Sequence, residues 1–191
     1  MRLFVALCLD GVLRREAATQ VAQLQAADTE RAVRWVAVSG MHLTLQFLGE
    51  VPDAAATAIA AALDAALAGL PAPHLALAGG GAFPNLRRPR VIWMGLREEG
   101  SALVAVHRAV GEALAPLGWP PDKRSFQPHL TAGRVRDGAR PGRALIGAVE
   151  AARGTAAAAR PQTEVVLFRS HLVDGPARYE RLRTWDLQGS R

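Results

Sequence analysis

Two tetrapeptides, His42-Leu43-Thr44-Leu45 and His129-Leu130-Thr131-Ala132, constrain this chain more than any other feature. Each alternates polar and apolar residues inside a longer extended run, from Met41 to Leu48 and from Phe126 to Val135. Side chains alternate between the two faces of a strand. His42 and Thr44 should therefore share one face while Leu43 and Leu45 point into a core. His129 and Thr131 should stand in the same way over Leu130 and Ala132. The fold must accommodate two such strands, with an imidazole and a hydroxyl on the polar face of each. They could line two walls of a cleft, related by an approximate two-fold.

The rest of the chain supplies the frame. Arg2 to Leu9 reads as a strand, and Val12 to Ala27 as a helix with Val12, Leu13, Ala17, Val21 and Leu24 near helical spacing. Val33 to Val38 is extended and Ser39-Gly40 a turn. Asp53 is placed to cap a helix over Ala54 to Leu67, stopped by Gly69 and Pro71. His74 to Ala78 reads as a strand that ends in a loop carrying Gly79-Gly80-Gly81 and Phe83-Pro84-Asn85. Val91 to Leu96 is another strand, and Ser101 should cap a helix over Ala102 to Leu117. Pro128 should delay the strand at Phe126 or set it at an edge. Ala144 to Ala152 reads as a helix. Glu164 to Val173, a turn at Asp174-Gly175-Pro176, and Tyr179 to Leu187 form a hairpin. Short turns between neighbouring strands indicate α+β with largely antiparallel sheets. No linker divides the chain, so residues 1–191 are expected to form one domain of two lobes.

With 191 residues, half of them apolar, the chain is long enough for a sizeable core and too apolar to be disordered. Its longest apolar-rich run, Ala54 to Leu70, is alanine-dominated and broken by Asp64, so no membrane span is expected. The run from Met1 to Leu9 is short and ends in Asp10, which argues against a signal peptide. Cys8 is the single cysteine, so no internal disulfide forms and a cytoplasmic location is the default. The formal charge of +6 suggests an anionic partner. Against this, 22 of the 23 basic residues are arginine and alanine occurs 38 times, a pattern that codon bias also produces.

Imidazole gives and takes protons near neutral pH. Two imidazoles on opposite sides of a phosphorus can serve as base and acid for in-line displacement, and threonine hydroxyls can bind the non-bridging oxygens. A ribose 2′,3′-cyclic phosphate suits this set, because water attacks a strained ring and a ribose oxygen leaves needing a proton. Zinc is the other reading of two histidines, but it needs three protein ligands and neither motif has ligand spacing. No metal or other cofactor is therefore expected. His74, His107 and His171 lack a threonine two residues on and read as packing or surface residues.

On these residues the chain resembles the two-histidine phosphoesterase superfamily, and within it the bacterial RNA 2′,3′-cyclic phosphodiesterases once described as 2′-5′ RNA ligases. The paired His-x-Thr-x motifs carry the wider resemblance. The narrower one adds Arg2 to Ala6, Arg34-Trp35-Val36, the continuation to Val51, Phe83-Pro84-Asn85, Arg88 to Trp93, Phe126-Gln127-Pro128, Ser170-His171-Leu172 and Tyr179. The resemblance implies a bilobal α+β fold, its largely antiparallel sheets lining a central cleft and its helices packed outside. It implies metal-independent hydrolysis of RNA 2′,3′-cyclic phosphate ends, tRNA fragments among them, to 2′-phosphomonoesters by a monomer, with reversible 2′-5′ ligation as a related activity. It implies His42 as proton donor and His129 as proton acceptor, an order that spacing alone leaves open. Thr44 and Thr131 would hold phosphate, and Arg134 would contact phosphate or a stacked base. Phe126, like Phe4, would either stack a base or belong to the core. Position 132 departs from the family in carrying alanine, where a larger apolar residue is usual. Arg87, Arg88 and Arg90 could guide an RNA backbone or form a solvated basic loop. Two alternatives remain: a phosphoesterase for a small cyclic nucleotide, such as an ADP-ribose cyclic phosphate, and an RNA-end-binding protein without turnover.

Overall fold

The computed structural model describes residues 1–152, 154, 157–171 and 178–189. Nine strands and four helices run in the order β1 (Arg2–Cys8), α1 (Gly11–Ala27), β2 (Val33–Trp35), β3 (His42–Glu50), α2 (Ala55–Leu67), β4 (His74–Phe83), β5 (Val91–Glu99), α3 (Ala102–Leu114), β6 (His129–Val135), α4 (Arg143–Ala151), β7 (Arg160–Pro161), β8 (Glu164–His171) and β9 (Arg178–Asp186). The strands form one sheet in the order β7-β4-β5-β6-β3-β1-β8-β9, with β2 also on β6. Every ladder in it is antiparallel. The α+β expectation holds, with the strands joined in one curled antiparallel sheet.

Helices α1 and α4 pack together against β4, while α2 and α3 pack together near β3 and β9. Each presents a stripe at helical spacing, such as Leu13, Ala17, Val21 and Leu24 on α1 or Leu103, Val106, Val110 and Leu114 on α3. These residues, with the helix-facing side chains of the sheet, form one core cluster. Burying each leucine contributes about 1.5–3 kcal/mol. The opposite face of β1 and β8 holds a second, smaller cluster of Phe4, Ala6, Cys8, Val166 and Phe168. No helix among the described residues is long and apolar enough to cross a membrane.

Several local expectations are corrected. Gly79, Gly80 and Gly81 do not end β4; the strand bulges there and continues to Phe83. Gly79 takes a left-handed φ of 71°, and a Cβ built on Gly81 would collide with the Trp93 ring. The glycines thus serve a bulge and a close ring contact. Asp53 does not cap α2: its carboxylate lies 3.5 Å from the N-terminal amine, and Ala54 before the helix is already in helical geometry. Ser101 makes no capping bond either. Glu98 supplies it instead, accepting from Leu103 N at 2.6 Å. α3 ends at Leu114, and Ala115–Leu117 tightens into a 3₁₀ turn. Pro128 delays β6 until His129, but β6 lies inside the sheet, between β5 and β3. The expected end of β8 at Val173 and the turn at 174–176 lie outside the described residues.

Candidate active site

The two motifs meet at the joint between β3 and β6. Leu43 pairs with Leu130, the one ladder pair between β3 and β6 among the described residues. Both leucines are fully buried in the core cluster. Antiparallel geometry centred on this pair sets His42 beside Thr131 and Thr44 beside His129, on the face away from the helices. All four side chains are half-buried. A local two-fold therefore passes through the joint, as the repeated motif anticipated.

The histidines are held in the same way. His42 Nδ1 donates to Gly40 O at 2.9 Å, and His129 Nδ1 donates to Gln127 O at 2.8 Å. A carbonyl can only accept, so each Nδ1 carries its proton and each Nε2 is left for exchange. Neither threonine hydroxyl has a hydrogen-bond partner among the described residues.

The surroundings of the two rings differ. His42 stacks on Phe4 at 4.8 Å between centroids and meets Tyr179 edge-on at 5.3 Å, with Phe168 at 5.9 Å. This burial, opposed by the Gly40 hydrogen bond and reinforced by the positive charge of a protonated His129, pushes His42 down to about 4. His129 has Phe83 edge-on at 5.0 Å and Trp93 at 6.2 Å. Cys8 lies directly across the ladder from His42. Burial and the Glu164 carboxylate push its thiol up to about 12, so it offers no thiolate as nucleophile or ligand. Among the described residues, no group of three or more His, Cys, Asp or Glu side chains is placed to hold a metal ion.

Two β-bulges add to the constellation. Arg134 is five residues from His129, an odd spacing that would turn it to the opposite face of a regular strand. The β5–β6 register, however, runs Ile92↔Gly133 and then Trp93↔Thr131, leaving Ala132 as the extra residue. Arg134 therefore comes opposite Val91 on the Thr131 face, and it is exposed. Ala132 is fully buried, so the residue that departs from the family pattern is the bulged one. On β3 the register runs Val5↔Gln46 and then Ala6↔Thr44. That brings Phe47, 69% exposed, onto the Thr44 face. Phe47 and Arg134 thus occupy equivalent positions, three residues after each threonine.

Phe126 does not join this group. It lies an odd number of residues before His129 and stacks on His107 of α3 at 3.9 Å, on the helix side of the sheet. Phe4 is 3% exposed beneath His42, which leaves it a core residue. His171 is held by Glu180 at 2.9 Å, and His74 pairs with Glu99 at the start of β4, both apart from the two motifs. Sequence reasoning missed Phe47, Phe83, Trp93, Phe168 and the place of Cys8. The alternation of Phe4, Ala6 and Cys8 with Leu3, Val5 and Leu7 implied a second buried face on β1, but not which rings from other strands cover it.

A family model described as the 2′-5′ RNA ligase superfamily matches residues 13–174. The chain is 38% identical over 159 residues to an RNA 2′,3′-cyclic phosphodiesterase of Geobacillus stearothermophilus, a match covering 82% of this chain and 48% of that protein. It thus spans about half the length of that relative. Among solved structures, a protein of Thermus thermophilus aligns over all of both chains with a TM-score of 0.81 and 27% identity. Escherichia coli LigT complexed with 3′-AMP aligns over 97% of each chain with a TM-score of 0.70 and 29% identity.

Proposed function

This chain belongs to the 2′-5′ RNA ligase superfamily, and from that premise we propose that it hydrolyses RNA 2′,3′-cyclic phosphate ends to 2′-phosphomonoesters. One observation carries the reading. Two histidines stand on one face of the β3–β6 pair, each with Nδ1 tied to the carbonyl two residues before it, which leaves each Nε2 open to proton transfer. Water attacks phosphorus in line with the 3′-oxygen and passes its proton to His129 Nε2. The bond from phosphorus to the 3′-oxygen breaks, and His42 Nε2 supplies that oxygen with a proton. Exchange with solvent then restores both rings. Thr44 and Thr131 donate to the non-bridging oxygens, on which charge builds in the transition state. Arg134 and Phe47 offer flat faces to bases on either side.

The acid role of His42 has a requirement. At about 4 in the free protein, the ring is neutral at pH 7. The phosphodiester anion must raise that value when it displaces water beside the ring, as an opposite charge does. With a ribose 5′-hydroxyl attacking in place of water, the same groups would form a 2′-5′ diester. The site is complete within one chain, which supports action as a monomer on RNA ends, tRNA fragments among them. The unpaired Cys8 supports a cytoplasmic setting.

The test is to incubate purified protein with an oligoribonucleotide ending in a 2′,3′-cyclic phosphate and to locate the product phosphate. A 2′-phosphomonoester is expected. A 3′-phosphomonoester, or no turnover, would overturn the reading.

A further inference from the structure

A groove of about 1060 Å³ opens between the 84–90 loop and the 136–143 segment leading into α4. Its walls carry Arg87, Arg88, Arg90, Arg136, Arg140 and Arg143 against only two acids, Asp137 and Glu150. That surplus of four positive charges is most of the chain's formal +6. Among the described residues, no ion pair joins Arg87, Arg88, Arg90, Arg140 or Arg143 to a carboxylate. The surplus is therefore not offset by ion pairs among the described residues.

The groove lies at the ends of the strands that carry the site, its lining residues Arg90 and Val135 adjoining the Val91↔Arg134 pair. Phe83, whose ring meets His129, starts the 84–90 loop, and its carbonyl accepts from Arg90 N at 2.7 Å. Val135 N donates to Arg90 O at 2.9 Å, which ties the loop to the residue after Arg134. Inside the loop, the Asn85 carboxamide oxygen accepts from Arg87 N at 3.0 Å and from Arg88 N at 3.1 Å. The loop is thus fixed by an Asx-type turn before anything binds. From His129 to Arg134 the ladder advances four steps, about 13 Å, enough for a few nucleotides.

From this we infer that the groove holds the sugar-phosphate backbone of the RNA strand leading to the cyclic end, making the protein an enzyme of polynucleotide ends over small cyclic nucleotides. The inference rests on the proposed reaction for its orientation, with the end at the histidines and the upstream backbone in the groove. Among the described residues, no aromatic side chain lines the groove. Binding there is to backbone charge and carries no base preference, in contrast to the ring-lined cleft.

The test compares wild-type protein with Arg87→Gln/Arg88→Gln/Arg140→Gln/Arg143→Gln and with the corresponding four-lysine variant. The probe is a short single-stranded oligoribonucleotide ending in a 2′-phosphate, titrated by fluorescence anisotropy at several salt concentrations. The glutamine variant should bind roughly ten-fold or more weakly, with a salt slope shallower by about 1 for each phosphate it no longer neutralises. The lysine variant should keep most of the affinity. Turnover of a 2′,3′-cyclic mononucleotide should be unchanged in both variants. Equal affinity and equal salt slope in wild type and glutamine variant would overturn the inference. If wild type hydrolysed no cyclic end while the binding loss still appeared, the reaction would fall and the groove would stand. Hydrolysis with undiminished oligonucleotide binding would leave the reaction standing and overturn the groove.

Discussion

At the scale of single residues, the proposed reaction requires two imidazoles acting as one unit. His42→Ala and His129→Ala should each lose several orders of magnitude in turnover. The double variant should be little worse than either, since groups serving one proton relay are not additive. His74→Ala, His107→Ala and His171→Ala should keep nearly all activity. Near-parental rates in either motif variant, with the fold intact, would end the two-histidine mechanism. Thr44→Val and Thr131→Val keep shape but lose the hydroxyl, and each should slow turnover roughly ten- to a hundred-fold, about 1–3 kcal/mol. The role of His42 has its own measurement. NMR titration should find its ring protonating near 4 in the free protein, and at distinctly higher pH with a nucleoside 2′-phosphate bound. A value that stays put would leave His42 neutral during catalysis and move the acid role to His129. The four motif residues were legible in the sequence because polar-apolar alternation is a local signal. The rings that set the two histidines apart were not. Phe4, Phe168 and Tyr179 reach His42 from three strands, and nothing in their neighbourhoods along the chain announces the meeting.

At the scale of elements, strand and helix identities followed from periodicity, while bulges and caps escaped it. A bulge is fixed by its partner strand, so neither the Ala132 bulge nor its effect on Arg134 could be read from β6 alone. By strict alternation Arg134 would face the helices. The glycine run in β4 read as a loop because glycine marks turns far more often than it marks a ring lying on a strand. This last difference is testable. In Gly81→Ala the added methyl would collide with the Trp93 ring, which neighbours His129. The ring must move or the strand must yield, at about 1–3 kcal/mol. A lower melting temperature together with a changed Trp93 fluorescence spectrum is expected. Unchanged stability and spectrum would mean that the contact does not position the ring.

At the scale of the whole molecule, the site and the fold are coupled through pH. The unfolded chain holds His42 near 6.5, and the folded protein holds it near 4 because its ring is stacked among Phe4, Phe168 and Tyr179. Between those values the unfolded chain binds the extra proton, so stability present above about 6.5 is lost as pH falls toward 4. The full difference is about 3 kcal/mol, from 1.36 kcal/mol per pKa unit. Burial lowers His107 as well, in the same sense. The carboxylates of Asp10, Asp64, Glu99, Asp122 and Glu164 are all held below their usual range, so their contributions are lost only at still lower pH. The window from pH 6.5 to about 5 therefore isolates the histidines. Urea unfolding at pH 7 and at pH 5 should show a larger loss for the wild type than for His42→Gln, which cannot take up the proton. His107→Gln should recover less, because that ring lies outside the aromatic cluster and stacks on Phe126 alone. A nucleoside 2′-phosphate should stabilise the wild type more at pH 5 than at pH 7 through this ring, and should show a smaller such gain in His42→Gln, since its anion favours the protonated ring. Parallel losses in wild type and His42→Gln would show that acid sensitivity arises elsewhere in the fold, and that the rings around His42 do not exclude its charge.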